Sequence, residues 1–304
     1  MIMDNHTPLL SVGMPAYNSE KDIRDAVDAI LNQTFTDFEL IISDNASTDN
    51  TQTICEEYAA KDSRIKYVRN ATNVGASDNY NNVFKLSKGK YFKWASSNDY
   101  CAPSFFEKCI AQLELDPNIV LAAPKTRLYS HTIENHLDYK DNIATDSDDP
   151  VERMLHAIDN IRLNNAMNGV IRSSALRATP LIIPFFASDS CLVCELALHG
   201  KLIELPEPLF YRQMDEESST SMQSEETMRE HYQPNSKKPM RFQNWKIHKY
   251  YFDAVHRAKL SPSDTRKLYK ELCRRMVWHK NMLLRDFLFW KPFRSKSTTD
   301  WKAL

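Results

Sequence analysis

The sequence predicts an α/β fold: a mostly parallel sheet flanked by helices, followed by a C-terminal helical extension. Three observations carry this. Over roughly the first 100 residues, four short apolar runs alternate with stretches of helical period. Such βα alternation specifies parallel strands joined by right-handed crossovers. Two of the runs stop at clusters of small polar residues, at the edge where open α/β sheets build ligand sites. From Met240 onward, apolar residues recur at amphipathic helical spacing.

Residues 9–14 (LLSVGM) read as the first buried strand, broken at Pro15, Ala16, Tyr17 and Asn18. Ser19 is the expected N-cap of the next helix, with Asp22 three residues on. Residues 38–42 (FELII) form the second strand, which ends in Ser43, Asp44 and Asn45. A helix through Ile54 and Tyr58 and a shorter strand over 65–68 follow. Asn73-Val74-Gly75 turns into a helix over 77–86, ended at Gly89. Residues 91–95 (YFKWA) are the fourth strand and stop at Ser96, Ser97, Asn98 and Asp99. Side-by-side strands bring Tyr17, Asp44 and Asp99 to one rim. A pocket there suits a base, a sugar and phosphates, and a carboxylate at a strand end can hold a divalent cation against phosphate oxygens.

Further along, a helix over 104–115 leads to a buried strand over 119–123. Residues 129–150 are acidic and aperiodic and read as a surface loop. A helix over 151–160 precedes residues 166–171 (AMNGVI). Ser188 and Asp189 stand before an apolar helix over 191–198, and a helix cap is the plain reading of the pair. Two short strands, 201–205 and 209–212, close this part. Residues 215–239 form a polar connector with some helix, and 240–304 a basic amphipathic helical tail with a fresh helix start at Ser261-Pro262. From 241 to 304 there are 16 Lys and Arg against 5 Asp and Glu; the remainder carries 23 against 35. A basic tail on an acidic body implies a separate partner for the tail. Phe287, Phe289, Trp290 and Phe293 mingle with Arg285, Lys291, Arg294 and Lys296. Docking on the body or a second copy is favoured, with a membrane interface as the alternative.

Composition narrows the classes. The 304 residues, 42% hydrophobic and 26% charged, are those of an ordinary globular chain. With only 5 Gly, no glycine-rich phosphate loop exists. The loop after the first strand has neither Gly nor Arg, which argues against a nucleotidyltransferase. No stretch approaches the roughly 20 apolar residues of a membrane span. The opening MIMDNHTPLL has no signal-peptide pattern. The 6 Cys suit a reducing cytosol, so a cytoplasmic location is expected, extending to the inner face of the membrane if the tail binds there. Cys191 and Cys194 form a CxxC without a second pair, favouring two small buried residues over a zinc site. Only charge speaks for nucleic acid, and no nucleic-acid partner is expected.

The stretches SVGMPAYNSE, TFTDFELIISDNASTDNT and NVGASDNYNNVFKLSKGKYFKWASSNDYCAP, in that order, resemble the nucleotide-binding half of a family 2 glycosyltransferase of the GT-A (Rossmann-like) fold. The resemblance covers about 9–124 and extends more loosely to about 212. It implies a domain over 1–214, with a nucleotide-binding half (9–124) and an acceptor half (125–214). It further implies inverting transfer of a sugar from a nucleotide diphosphate sugar, UDP-linked by analogy, to a hydroxyl of a glycan or lipid-linked glycan, in surface polysaccharide synthesis. By position, Pro15, Ala16, Tyr17 and Asn18 would surround the base and Asp44 would accept from a base N–H. Asn73, Gly75 and Asn81 would flank the nucleotide, with Ser97 and Asn98 beside it. Asp99, with Asn98, would hold Mg²⁺ or Mn²⁺ on the diphosphate. Residues 166–171 would be the strand that passes under the donor sugar, contributing Asn168 and Gly169; Ser188 and Arg212 would complete the pocket, and Asp189 would be the general base. Three departures stand out. The usual Asp-x-Asp pair reads Ser96 and Asn98, an Arg reads Tyr80, and a His after Arg212 reads Met214, a poor ligand for a hard cation. They leave a second reading, a non-catalytic sugar-nucleotide or glycan-binding subunit on the same fold.

Overall fold

The computed structural model describes residues 6–214 and 225–288. The predicted alternation is present: β1 (Leu10–Ala16), α1 (Ile23–Leu31), β2 (Phe38–Asp44), α2 (Thr51–Lys61), β3 (Ile65–Arg69), α3 (Ala76–Lys85) and β4 (Tyr91–Trp94). β1 lies between β2 and β4, parallel to both, and β3 adds in parallel to β2. Ala16 sits opposite Asp44 and Asp44 opposite Arg69, so β1, β2 and β3 end level, while β4 ends opposite Gly13, three residues earlier. The helix after β1 starts later than expected. Asp22 is its N-cap, while the Ser19 carbonyl accepts from the N–H of Asp22 and Ile23.

The second half completes one sheet. β5 (Tyr100–Cys101) and α4 (Phe105–Leu115) lead to β6 (Ile119–Ser130) and β7 (Thr132–Tyr139). After α5 (Pro150–Asn160), a 3-10 turn (Asn165–Asn168) precedes β8 (Val170–Arg172). Then come α6 (Ser173–Arg177), α7 (Ser188–His199) and β9 (Lys201–Gln213). Among the described residues the order is β3-β2-β1-β4-β8-β6-β9-β5, with β7 on β6. β8 is antiparallel to β4 and β6, while β6 and β9 run parallel.

Three expectations are corrected. Residues 129–139 are the end of one strand and the whole of its hairpin partner rather than a loop. β7 is exposed along nearly its whole length, so it has no buried alternate face and no period-2 signal. The two short strands of 201–212 are one strand, which bends through register shifts beside Pro124 and Lys125. Residues 166–168 belong to the 3-10 turn, leaving only 170–172 as strand.

α7 is buried all round from Cys191 to Leu198, which explains its unbroken apolar run; Cys191 and Cys194 are free thiols within it. The C-terminal helices α8 (Glu225–Tyr232), α9 (Gln243–Arg257), α10 (Pro262–Trp278) and α11 (Lys280–Leu288) follow. Ser261 caps α10 with Pro262 at its first position, as predicted. α9 docks on the body: Tyr250, Ala254 and Val255 pack with Val151, Met154, Cys191 and Leu198. Fully buried Glu195 meets Arg257 in a two-bond pair at 2.8 and 2.9 Å. The basic, aromatic stretch of 289–304 and connector residues 215–224 lie outside the described residues.

Candidate active site

The C-terminal ends of β1, β2 and β4 form the rim, and their loops are laced together. Asn18, in left-handed backbone at φ 49°, donates its N–H to Ser47 Oγ at 2.9 Å and accepts from Thr48 N–H at 2.8 Å. Ser19 and Ser97 share a hydroxyl hydrogen bond of 2.8 Å, joining the β1 loop to the β4 loop. Pro15 and Ala16 are buried within β1, whereas Tyr17 is 49% exposed at its end.

Asp44 is 0% exposed. Its Oδ1 accepts from Ser47 N–H at 2.8 Å, and its Oδ2 from the Tyr67 hydroxyl at 2.8 Å and from Arg69 Nη1. A base that reached Asp44 would meet a carboxylate already accepting three bonds. Arg69, which sequence reasoning missed, was signalled only by being a cation at the end of β3. Asn73 Oδ1 accepts from Asn45 Nδ2 and from Gly75 N–H. Asn81 uses its amide on the backbone of Ile182, donating to the carbonyl at 2.8 Å and accepting from the N–H at 3.1 Å. It braces the loop before α7.

The carboxylate side of the rim is sparse. Asp99 Oδ1 accepts from Gln213 N–H at 3.0 Å. Desolvation raises the Asp99 carboxyl above its ordinary range, with Arg212 and Lys93 pulling the other way. Tyr80 stands where Asp99 and Asp189 both act on it. Burial, reinforced by those two charges, pushes its phenol up to about 12. The Asn98 carbonyl accepts from Tyr129, and Met214 is buried against Leu128 and Leu163 rather than facing a ligand. Among the described residues, no three His, Cys, Asp or Glu side chains converge to hold a metal. One carboxylate, flanked by neutral Ser96 and Asn98, does not fit a preformed Mg²⁺ or Mn²⁺ site.

The other side of the site is built around α7. Its N-cap is Ala187, in left-handed backbone at φ 62°, with no side-chain cap bond. Neither Ser188 nor Asp189 caps the helix, so the plain reading of that pair is removed. Ser188 is 0% exposed, with an unpartnered Oγ, and is a core position. Asp189 stays partly exposed, and its Oδ2 accepts from Asn164 Nδ2 at 2.8 Å. Asn164 carried no sequence signal beyond the Asn-Asn pair it forms with Asn165. Arg212 Nη1 donates to the Leu163 carbonyl at 2.6 Å and to Asn165 Oδ1 at 2.7 Å, securing this turn. Gly169 is tight against β6: an added Cβ would lie 2.8 Å from the Ala122 carbonyl. Its lack of a side chain serves sheet packing. The Asn168 carbonyl accepts from buried Lys93 Nζ at 2.6 Å.

α8 closes over this face. Asn235 donates to the Asn73 carbonyl at 2.9 Å, and Gln233 to the Pro184 carbonyl at 3.3 Å. A Cβ on Gly75, whose φ is 87°, would lie 2.6 Å from the Tyr232 carbonyl, so only glycine admits this segment. His231 is pushed down to about 4 by burial, partly offset by Asp189, whose charge also raises Tyr232. No sequence pattern linked this helix to the rim.

A mixed, mostly parallel sheet flanked by helices, with polar loops at its strand ends, is the GT-A architecture. The family model Glycosyl transferase family 2 matches residues 11–177, more than half of the chain. The chain belongs to glycosyltransferase family 2. It is 37% identical over 112 residues to an uncharacterized glycosyltransferase of Haemophilus influenzae, covering 37% of this chain and 35% of that protein. It is 30% identical over 138 residues to chondroitin synthase of Escherichia coli, covering 45% and 19%. The chain thus spans about a third or less of the length of these relatives. Among solved structures it resembles S. aureus TarS in complex with UDP-GlcNAc, with a TM-score of 0.62, 17% identity and coverage of 93% of this chain and 76% of that one. It also resembles the mannosyltransferase PcManGT of Pyrobaculum calidifontis, solved with GDP-Man and Mn²⁺, with a TM-score of 0.54, 13% identity and coverage of 93% and 87%.

Proposed function

We propose that the chain transfers a sugar, with inversion, from a nucleotide diphosphate sugar to a hydroxyl acceptor in polysaccharide synthesis. The observation that carries this is Asp189: an uncapping acid at the start of α7, partly exposed, oriented by Asn164. In the proposed step the acceptor hydroxyl donates to Asp189. Its oxygen bonds to the anomeric carbon as the bond from that carbon to the diphosphate breaks on the opposite face. The proton passes to Asp189 and the electron pair leaves with the diphosphate. Tyr80, held protonated at neutral pH, donates to the departing charge, with the Arg212 cation acting on both Tyr80 and Asp99. Tyr17 and Asp44 hold the base and contribute binding. UDP is the favoured nucleotide, in line with the UDP-GlcNAc bound by S. aureus TarS.

Among the described residues no helix is long and apolar enough to cross a membrane. Exposed Val277, Trp278, Leu284 and Phe287, beside Arg274, Lys280 and Arg285, support peripheral contact with an anionic lipid surface presenting a lipid-linked acceptor. The poor cation donor set is the observation behind a second reading, a non-catalytic binding subunit, which release of UDP from a panel of UDP-sugars would exclude. Asp189→Asn is expected to lower transfer at least ~100-fold while UDP affinity changes less than about twofold. Wild-type turnover in that variant would remove Asp189 from the role.

A further inference from the structure

We infer that Asn164 is a positioning residue for Asp189, fixing which carboxylate oxygen takes the acceptor proton; this rests on Asp189 being the base. Asn164 Nδ2 donates to Asp189 Oδ2 at 2.8 Å. Among the described residues, Asp189 Oδ1 has no hydrogen-bond partner and is left as the atom to receive a proton. An amide N–H donates without carrying charge. It orients the carboxylate but does not neutralise it, as a Lys or Arg partner would.

Two features show that packing does not account for this residue. Asn164 sits in left-handed backbone, φ 53° and ψ 42°, which glycine adopts more readily. It is 4% exposed, yet its Oδ1 has no partner. A buried amide with half its hydrogen-bonding capacity unmet is a poor choice for stability. Residues carrying such costs cluster at functional sites. Both neighbours are clamped by one guanidinium, since Arg212 bonds Leu163 and Asn165. Asn165 in turn donates to both oxygens of Asp141, at 3.2 and 3.1 Å. The turn is therefore held from β9 through Arg212 and from the segment after β7 through Asp141, which also accepts from Thr126 of β6, and Asn164 transmits that rigidity to Asp189.

Asn164→Gly removes the amide and keeps the backbone conformation. The expected result is a fall in kcat of roughly 10- to 100-fold with the donor KM within about twofold, as for a misplaced catalytic group. Asn164→Asp also tolerates the left-handed backbone and sets a second carboxyl against Asp189. Two carboxylates in contact share a proton, so the acid limb of its pH–rate profile is expected to move to higher pH. A merely structural residue would lower the melting temperature without moving that limb. Asn164→Gly with wild-type kcat beside an inactive Asp189→Asn overturns this inference alone. An active Asp189→Asn overturns the assignment of the base and this inference with it. Should Asn164→Gly fail to fold, an unmoved acid limb in Asn164→Asp overturns it.

Discussion

Replacing Asp44 by Ala tests the rim at its most buried point. The carboxylate is 0% exposed and accepts from a backbone N–H, a phenol and a guanidinium. Breaking a buried ion pair by removing one partner costs about 3–5 kcal/mol. The Arg69 side chain is 32% exposed and regains water when released, which favours the lower end. The Tyr67 hydroxyl and the Ser47 N–H do not escape so easily, and an unmet buried donor costs about 1–3 kcal/mol, partly counted already. A net loss of about 3 kcal/mol is expected. At about 2 °C per kcal/mol for a chain of this size, the melting temperature should fall by roughly 6 °C. Asp44→Asn restores an acceptor oxygen without charge and should fall about half as far. Thermal unfolding with and without UDP measures both, and Asp44→Asn should also bind UDP about tenfold more weakly. A melting temperature for Asp44→Ala within about 1 °C of wild type would refute the buried network.

Two further outcomes follow from the same geometry. His231 is neutral when folded, pushed down by burial to about 4, against about 6.5 in the unfolded chain. Between those values the unfolded state binds more protons, so the contribution is complete above about pH 6.5 and is lost on acidification, by on the order of 3 kcal/mol. Asp99, raised by desolvation, acts with the opposite sign as pH climbs above the ordinary carboxylate range. Protection factors over 225–235, which remove the intrinsic rate, should therefore fall from pH 7 to 5 and become pH-flat in His231→Gln; identical profiles would refute the assignment. For the metal, UDP affinity measured calorimetrically should change less than about threefold between Mn²⁺ and EDTA. A loss above about thirtyfold in EDTA would show that Asp99 and Asn98 hold the ion after all.

The nucleotide-binding half was legible because its signals are local. Each strand from β1 to β4 is an apolar run, each helix between them a 3.6-residue pattern, and parallel pairing then follows from chain order. β7 was illegible for the converse reason: an exposed strand has no alternation to read. Its pairing is decided by β6 across the hairpin. The same divide runs through the site. Asp189 was visible as an acid before an apolar helix, but whether it caps that helix depended on Ala187 turning left-handed.

By itself, then, the sequence determined the βα order, the polar strand ends and the acids available to the rim, because each is a property of a few neighbouring residues. Only the tertiary structure decided which of those groups are occupied. Arg69 reaches Asp44 from the next strand, Asn164 reaches Asp189 across 25 positions, and Asn235 reaches Asn73 across 162. Hydrogen bonds between residues so far apart depend on how whole elements pack, and no local pattern encodes that.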